Sequence, residues 1–136
     1  MAILRDPKEF GDLSFEHHKI LSNISFNLFR HDIFALQKFC IDNEHLNSRF
    51  SDILIYNNKN DRYPIAIIDV TNQNEFKETR EKLKEILEDY PHVKEAFIYD
   101  YENKTWAAFG GNTNNDKPSY SPLLDIDFNE YLKSAK

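Results

Sequence analysis

The sequence is poor in residues that staple or punctuate a chain. Its single cysteine, Cys40, excludes an internal disulfide and any zinc site built from several cysteines. Three glycines and five prolines among 136 residues exclude a collagen-like repeat and a long flexible linker. No repeat recurs with the period of a solenoid or propeller. No apolar run approaches the roughly 20 residues that span a bilayer. The opening stretch, with Arg5, Asp6, Lys8 and Glu9, has no apolar core of the kind a secretory signal needs. A cytoplasmic location without membrane contact is the expectation. There is no Gly-rich phosphate loop and no G-x-S-x-G elbow, which leaves out Walker-type NTPases and the common hydrolase triad. Basic residues are also in the minority: 17 Lys plus Arg against 23 Asp plus Glu give a formal charge of -6. Proteins that coat nucleic acid non-specifically carry the opposite balance, so any phosphate contact here needs a local site rather than a bulk field.

What is present suits one soluble domain: 40% hydrophobic, 14% aromatic and 29% charged residues. Residues 1–13 read as an N-terminal extension and 14–134 as a single domain. Phe15, Ile20, Leu21, Ile24, Leu28 and Phe29 recur at helical spacings, predicting a helix over 14–29. The run 33–41 is apolar on both faces and short, as a buried strand is, and Cys40 within it reads as a small buried hydrophobe. Residues 42–49 read as a polar loop. Two Ile-rich stretches, 50–56 and 64–71, flank a turn-rich segment and predict a β-hairpin. Phe76, Thr79, Leu83, Ile86, Leu87 and Tyr90 form one stripe of an amphipathic helix over 75–90, stopped by Pro91. Two strands follow, 93–100 and 104–110, then a polar loop over 110–121 and a short terminal helix over 127–135 packed through Phe128 and Leu132. This order predicts an α/β fold, a mixed β-sheet flanked by a helix on each face.

The first hairpin carries the informative chemistry. Symmetry about its turn pairs Tyr56 with Ile65, Leu54 with Ile67 and Asp52 with Asp69. Two aspartates then face each other inside apolar strands, with Cβ atoms about 4.5–5.5 Å apart. Like charges so placed are destabilising, and burying them unpaired is costly. Either a hard divalent cation such as Mg²⁺ compensates them, or the register is off by a residue or two, or one aspartate is exposed at a strand end. Lys82 lies about 80° from the centre of the apolar stripe on the following helix, so its ammonium can reach the sheet. Its plainer reading is a solvated charge paired with Glu78 four residues earlier. His17 and His18 point about 100° apart on a helix and form no i, i+4 ligand pair, which reads as a solvated or partly packed role. His31, His45 and His92 stand alone near turns. Tyr56, Phe97, Tyr99, Trp106 and Phe109 alternate within strands, as core residues rather than a base-stacking platform.

Four segments together resemble a known family. Phe50-Ser-Asp-Ile-Leu-Ile, Ile67-Ile-Asp-Val-Thr, Glu81-Lys-Leu and Phe97-Ile-Tyr-Asp-Tyr-Glu-Asn-Lys-Thr-Trp follow the order and spacing of the Uma family of restriction endonucleases, within the PD-(D/E)XK nuclease superfamily. Ser121-Pro-Leu-Leu-Asp-Ile-Asp-Phe is similar to its closing segment. The resemblance implies a restriction-endonuclease-like core and metal-dependent hydrolysis of phosphodiester bonds in DNA. Asp52 and Asp69 would hold Mg²⁺ (or Mn²⁺) with the carbonyl of Val70 near the metal. Lys82 would stand for a motif lysine displaced from strand to helix, and Glu16 for the acid many members add from the first helix. The sequence departs from the family at Ser51, where a proline is usual, at Asp69, where Glu is usual, over 71–74, and in a shortened region before Ser14. Those departures keep open a nuclease-fold binding or assembly module that cleaves nothing, and fold alone does not exclude an enzyme acting on another phosphorylated substrate. An exposed edge strand is compatible with a homodimer.

Overall fold

A central strand buried on both faces organises the molecule. The computed structural model describes residues 7–40 and 50–133, with side chains over 15–37 and 51–133. In chain order the elements are α1 (Pro7–Arg30), β1 (Ala35–Cys40), β2 (Phe50–Ile55), β3 (Ala66–Thr71), α2 (Phe76–Asp89), β4 (Glu95–Asp100), β5 (Thr105–Phe109), β6 (Tyr120–Ser121), β7 (Ile126–Asp127) and a 3-10 turn, Phe128–Leu132. The five long strands form one sheet in the order β1-β2-β3-β4-β5, with β1 and β5 at its edges. Neighbours are antiparallel except β3 and β4, which are parallel and joined through α2. The fold is thus a mixed α/β sheet with helices on both faces.

Strand alternation divides the core in two. Ile53, Ile55, Ala66, Ile68, Val70, Phe97 and Tyr99 face α1, whose Ile20, Leu21, Ile24 and Leu28 supply the opposing stripe, with Phe128 and Tyr131 closing the layer. Leu54, Ile67, Ala96 and Ile98 face α2, which buries Leu83 and Ile86. Each fully buried Leu or Ile here is worth about 1.5–3 kcal/mol of transfer free energy. Every residue of β3 and β4 is buried, which explains why their sequences read as near-continuous apolar runs broken only by Asp69, Thr71, Glu95 and Asp100. The aromatics of β4 and β5 pack inward, Phe97 edge-on to Phe128 at 5.0 Å and Tyr99 against Trp106 at 4.8 Å.

Several boundaries differ from expectation. α1 begins at Pro7, within the stretch read as an extension, because proline suits the first helical position while Gly11 and the lack of apolar spacing hide the helix from pattern reading. The terminal element is a five-residue 3-10 turn rather than a helix over 127–135. Asp127 caps it by accepting the Asn129 N–H at 3.0 Å, and the preceding chain is held in the β6–β7 ribbon, whose first strand lies at the end of the segment read as a polar loop. The loop 42–49 and His45 lie outside the described residues, as does the side chain of Cys40. Among the described residues no helix is long and apolar enough to cross a membrane.

Candidate functional site

The β2–β3 hairpin opens where its two acids sit. Its ladder runs Ile55–Ala66, Leu54–Ile67 and Ile53–Ile68, the register that turn symmetry predicts. At the turn end the expected Tyr56–Ile65 pair is not a rung. Tyr56 N–H instead donates to the Phe34 carbonyl, and Ile65 N–H to that of Ile55. At the other end, past Ile53–Ile68, side chains take over from backbone. Asp52 N–H donates to Asp69 Oδ1 at 2.8 Å, and Val70 N–H donates to Asp52 Oδ2 at 2.8 Å. Each carboxylate serves as acceptor for the opposite strand, so the strands part without orphaning either N–H.

An ammonium and an imidazole reach this gap from opposite faces of the sheet. Lys82, on the flank of α2, places Nζ 2.5 Å from Asp69 Oδ2. His17, on α1, places Nε2 3.0 Å from Asp52 Oδ2. Lys84, on the other flank of α2, lies over the Phe109 ring instead. Asp69 is 3% exposed. Burial pushes its pKa above the ordinary aspartate value and the charge of Asp52 adds to the rise, while Lys82 and the Asp52 N–H oppose it. The desolvation outweighs the pairing. Lys82 contributes charge at the boundary with solvent, with its side chain 36% exposed.

Of the residues singled out from sequence, Asp52, Asp69, Val70 and Lys82 converge here. Thr71 O accepts the Tyr101 N–H just past β4, so the N–H and carbonyl of Val70, one residue earlier, face β2 and the gap. Glu16 is half-buried on α1. Among the described residues no hydrogen bond or ion pair joins it to the two aspartates or Lys82; its charge is felt by Tyr99 and Tyr101, raising both phenol pKa values behind the larger effect of burial. His17 is the residue that sequence reading missed. His17 falls in register with Leu21, Ile24 and Leu28, at i+4, i+7 and i+11, so it is partly packed on the stripe that faces the sheet.

The donor set suits a hard divalent cation. Among the described residues no group of three or more His, Cys, Asp or Glu side chains is spaced to hold a metal ion. The chain itself would supply two carboxylates and the Val70 carbonyl, and Mg²⁺ is ordinarily held by one or two carboxylates with waters and substrate phosphate oxygens completing the shell. Asp52 Oδ1 accepts no hydrogen bond among the described residues, on a side chain 21% exposed. The flank beyond Lys82 is different: a groove of about 960 Å³ along α2 is lined by Glu75, Glu78, Glu81 and Glu85 against Lys77 and Lys82. Its charge balance repels a polyanion. No protein-family model and no curated protein sequence matches the chain.

Proposed function

We propose that this chain is a small metal-dependent DNA endonuclease on a restriction-endonuclease-like core, hydrolysing phosphodiester bonds with Mg²⁺ or Mn²⁺. One observation carries the reading: Asp52 and Asp69 are locked together at a parted strand end by reciprocal backbone hydrogen bonds, with the Lys82 ammonium on the second carboxylate. Stability alone is a poor reason for such a pair, since the desolvation that raises the Asp69 pKa outweighs its pairing with Lys82.

Asp52 and Asp69 would hold the cation, with the Val70 carbonyl beside them. When bound, the cation supplies Lewis-acid charge to a scissile phosphate. Asp52 presents Oδ1 while its Oδ2 is occupied by Val70 N–H and His17. Asp69 keeps one lone pair on each oxygen beyond its donors. Lys82 is fixed by Asp69 yet borders solvent, so its positive charge can meet the charge that develops on a phosphate oxygen. The glutamates along α2 direct a polyanion away from that helix and toward the open end of the sheet.

The test is plasmid cleavage with Mg²⁺ or Mn²⁺ by the wild-type chain, Asp69→Asn and Lys82→Met. Each substitution is expected to lower the rate about 100-fold or more, the usual loss when a preorganised charge is removed. Wild-type protein that binds neither cation in calorimetry would sink the reading. One observation favours a second reading, a nuclease-fold binding or assembly module: His17 and Lys82 already place a cationic or protonatable group on each carboxylate. That reading predicts the absence of divalent-cation binding.

A further inference from the structure

We infer that His17 is a positioning residue for cation loading: its imidazole fixes the Asp52 carboxylate so that Oδ1 is the oxygen offered to the ion. The inference rests on the metal-dependent reading above and extends it to a residue on a different element. Asp52 Oδ2 is 3.0 Å from His17 Nε2 and 2.8 Å from Val70 N. An ionised carboxylate only accepts, so Nε2 carries the proton and donates. Two donors converging on one oxygen from α1 and β3 pin the rotation of the carboxylate about its last torsion. The other oxygen is left without a protein donor among the described residues.

His17 is itself held in place. It lies on the α1 stripe whose Ile20, Leu21 and Ile24 are buried against the sheet, its side chain is 18% exposed, and the ring of His18 meets it edge-on at 5.6 Å. Val70 N–H alone would leave Asp52 free to swing toward solvent, because β2 offers no further rung to β3 beyond Ile53. An outer-shell hydrogen bond of this kind fixes the orientation of a ligating carboxylate. The direction of the effect follows: losing His17 weakens cation binding without removing a ligand.

The experiment is Mn²⁺ titration of the full chain followed by electron paramagnetic resonance, with melting of the metal-free proteins as a folding control. His17→Ala is expected to weaken Mn²⁺ binding about 10–100-fold, the range for lost outer-shell partners. His17→Gln places an amide N–H where Nε2 stood and is expected to restore binding to within about threefold of wild type. Pulsed spectra of wild-type protein should lack nitrogen coupling to the manganese. Equal or tighter binding by His17→Ala, or failure of Gln to restore what Ala loses, overturns the inference while leaving the metal-dependent reading intact. Nitrogen coupling that disappears in His17→Gln overturns it in favour of direct ligation. A wild-type chain that binds no Mn²⁺ overturns both.

Discussion

Replacing Asp52 separates its structural role from its charge. The carboxylate accepts the N–H of Val70, a residue 4% exposed in the sheet's central strand. Asp52→Ala leaves that N–H buried and unpaired, at a cost of about 1–3 kcal/mol. Asp52→Asn keeps a carbonyl oxygen in the same place and removes the negative charge that helps to raise the Asp69 pKa. The Ala variant should therefore be less stable than the Asn variant by about 1–3 kcal/mol. With about 2.1 cal/mol/K of unfolding entropy per residue, a chain of 136 residues converts this to a Tm gap of about 4–10 °C. Paired thermal melts, supported by urea midpoints at constant m-value, measure it. If Ala and Asn melt together well below the wild type, the charge rather than the acceptor matters, and the account of the parted strand end is wrong.

Three more outcomes follow from the same geometry. Lys82→Met removes the cation beside a buried carboxylate; because Lys82 is 36% exposed, the full cost of breaking a buried pair is screened to roughly 1–3 kcal/mol. That loss should shrink in the Asp69→Asn background, so single and double variants that add independently in urea melts refute the pairing. The Asp69 pKa is raised on folding, so its contribution to stability is fully present below the ordinary carboxylate range and is lost as pH rises through the raised value. The stability of wild type relative to Asp69→Asn should accordingly fall from acid toward neutral pH, and a rise across that interval contradicts the burial argument. Gly110→Ala should destabilise by about 1–3 kcal/mol, since Gly110 sits at φ 85° and an added Cβ would lie 2.7 Å from the Lys94 carbonyl oxygen; an unchanged Tm rules out strain there.

Much of the fold was legible because it depends on periodicity. The α2 stripe of Phe76, Leu83, Ile86 and Leu87 repeats at helical spacing, and the backbone has the same helix from Phe76 to Asp89. The central β2–β3 register could be read because a hairpin's pairing is symmetric about its turn, and Leu54 does meet Ile67. The β6–β7 ribbon could not be read. Its strands are two residues each, held by Glu95 from β4, whose carboxylate accepts from Ser121 Oγ and Leu123 N. No local pattern announces a buried glutamate 26 positions away from its partner.

The helical and strand periodicities determined an α/β layer structure, and symmetry about one turn put two aspartates on neighbouring strands. Those features are local, or follow from the spacing of apolar residues along one element. Tertiary structure alone decided how the acids are compensated. Lys82 could as readily have paired with Glu78 along its own helix, and His17 read only as solvated or partly packed, with no partner named. Which partners they meet depends on packing α1 and α2 against opposite faces of one sheet, and that brings His17, Asp52, Asp69 and Lys82 to a single parted strand end.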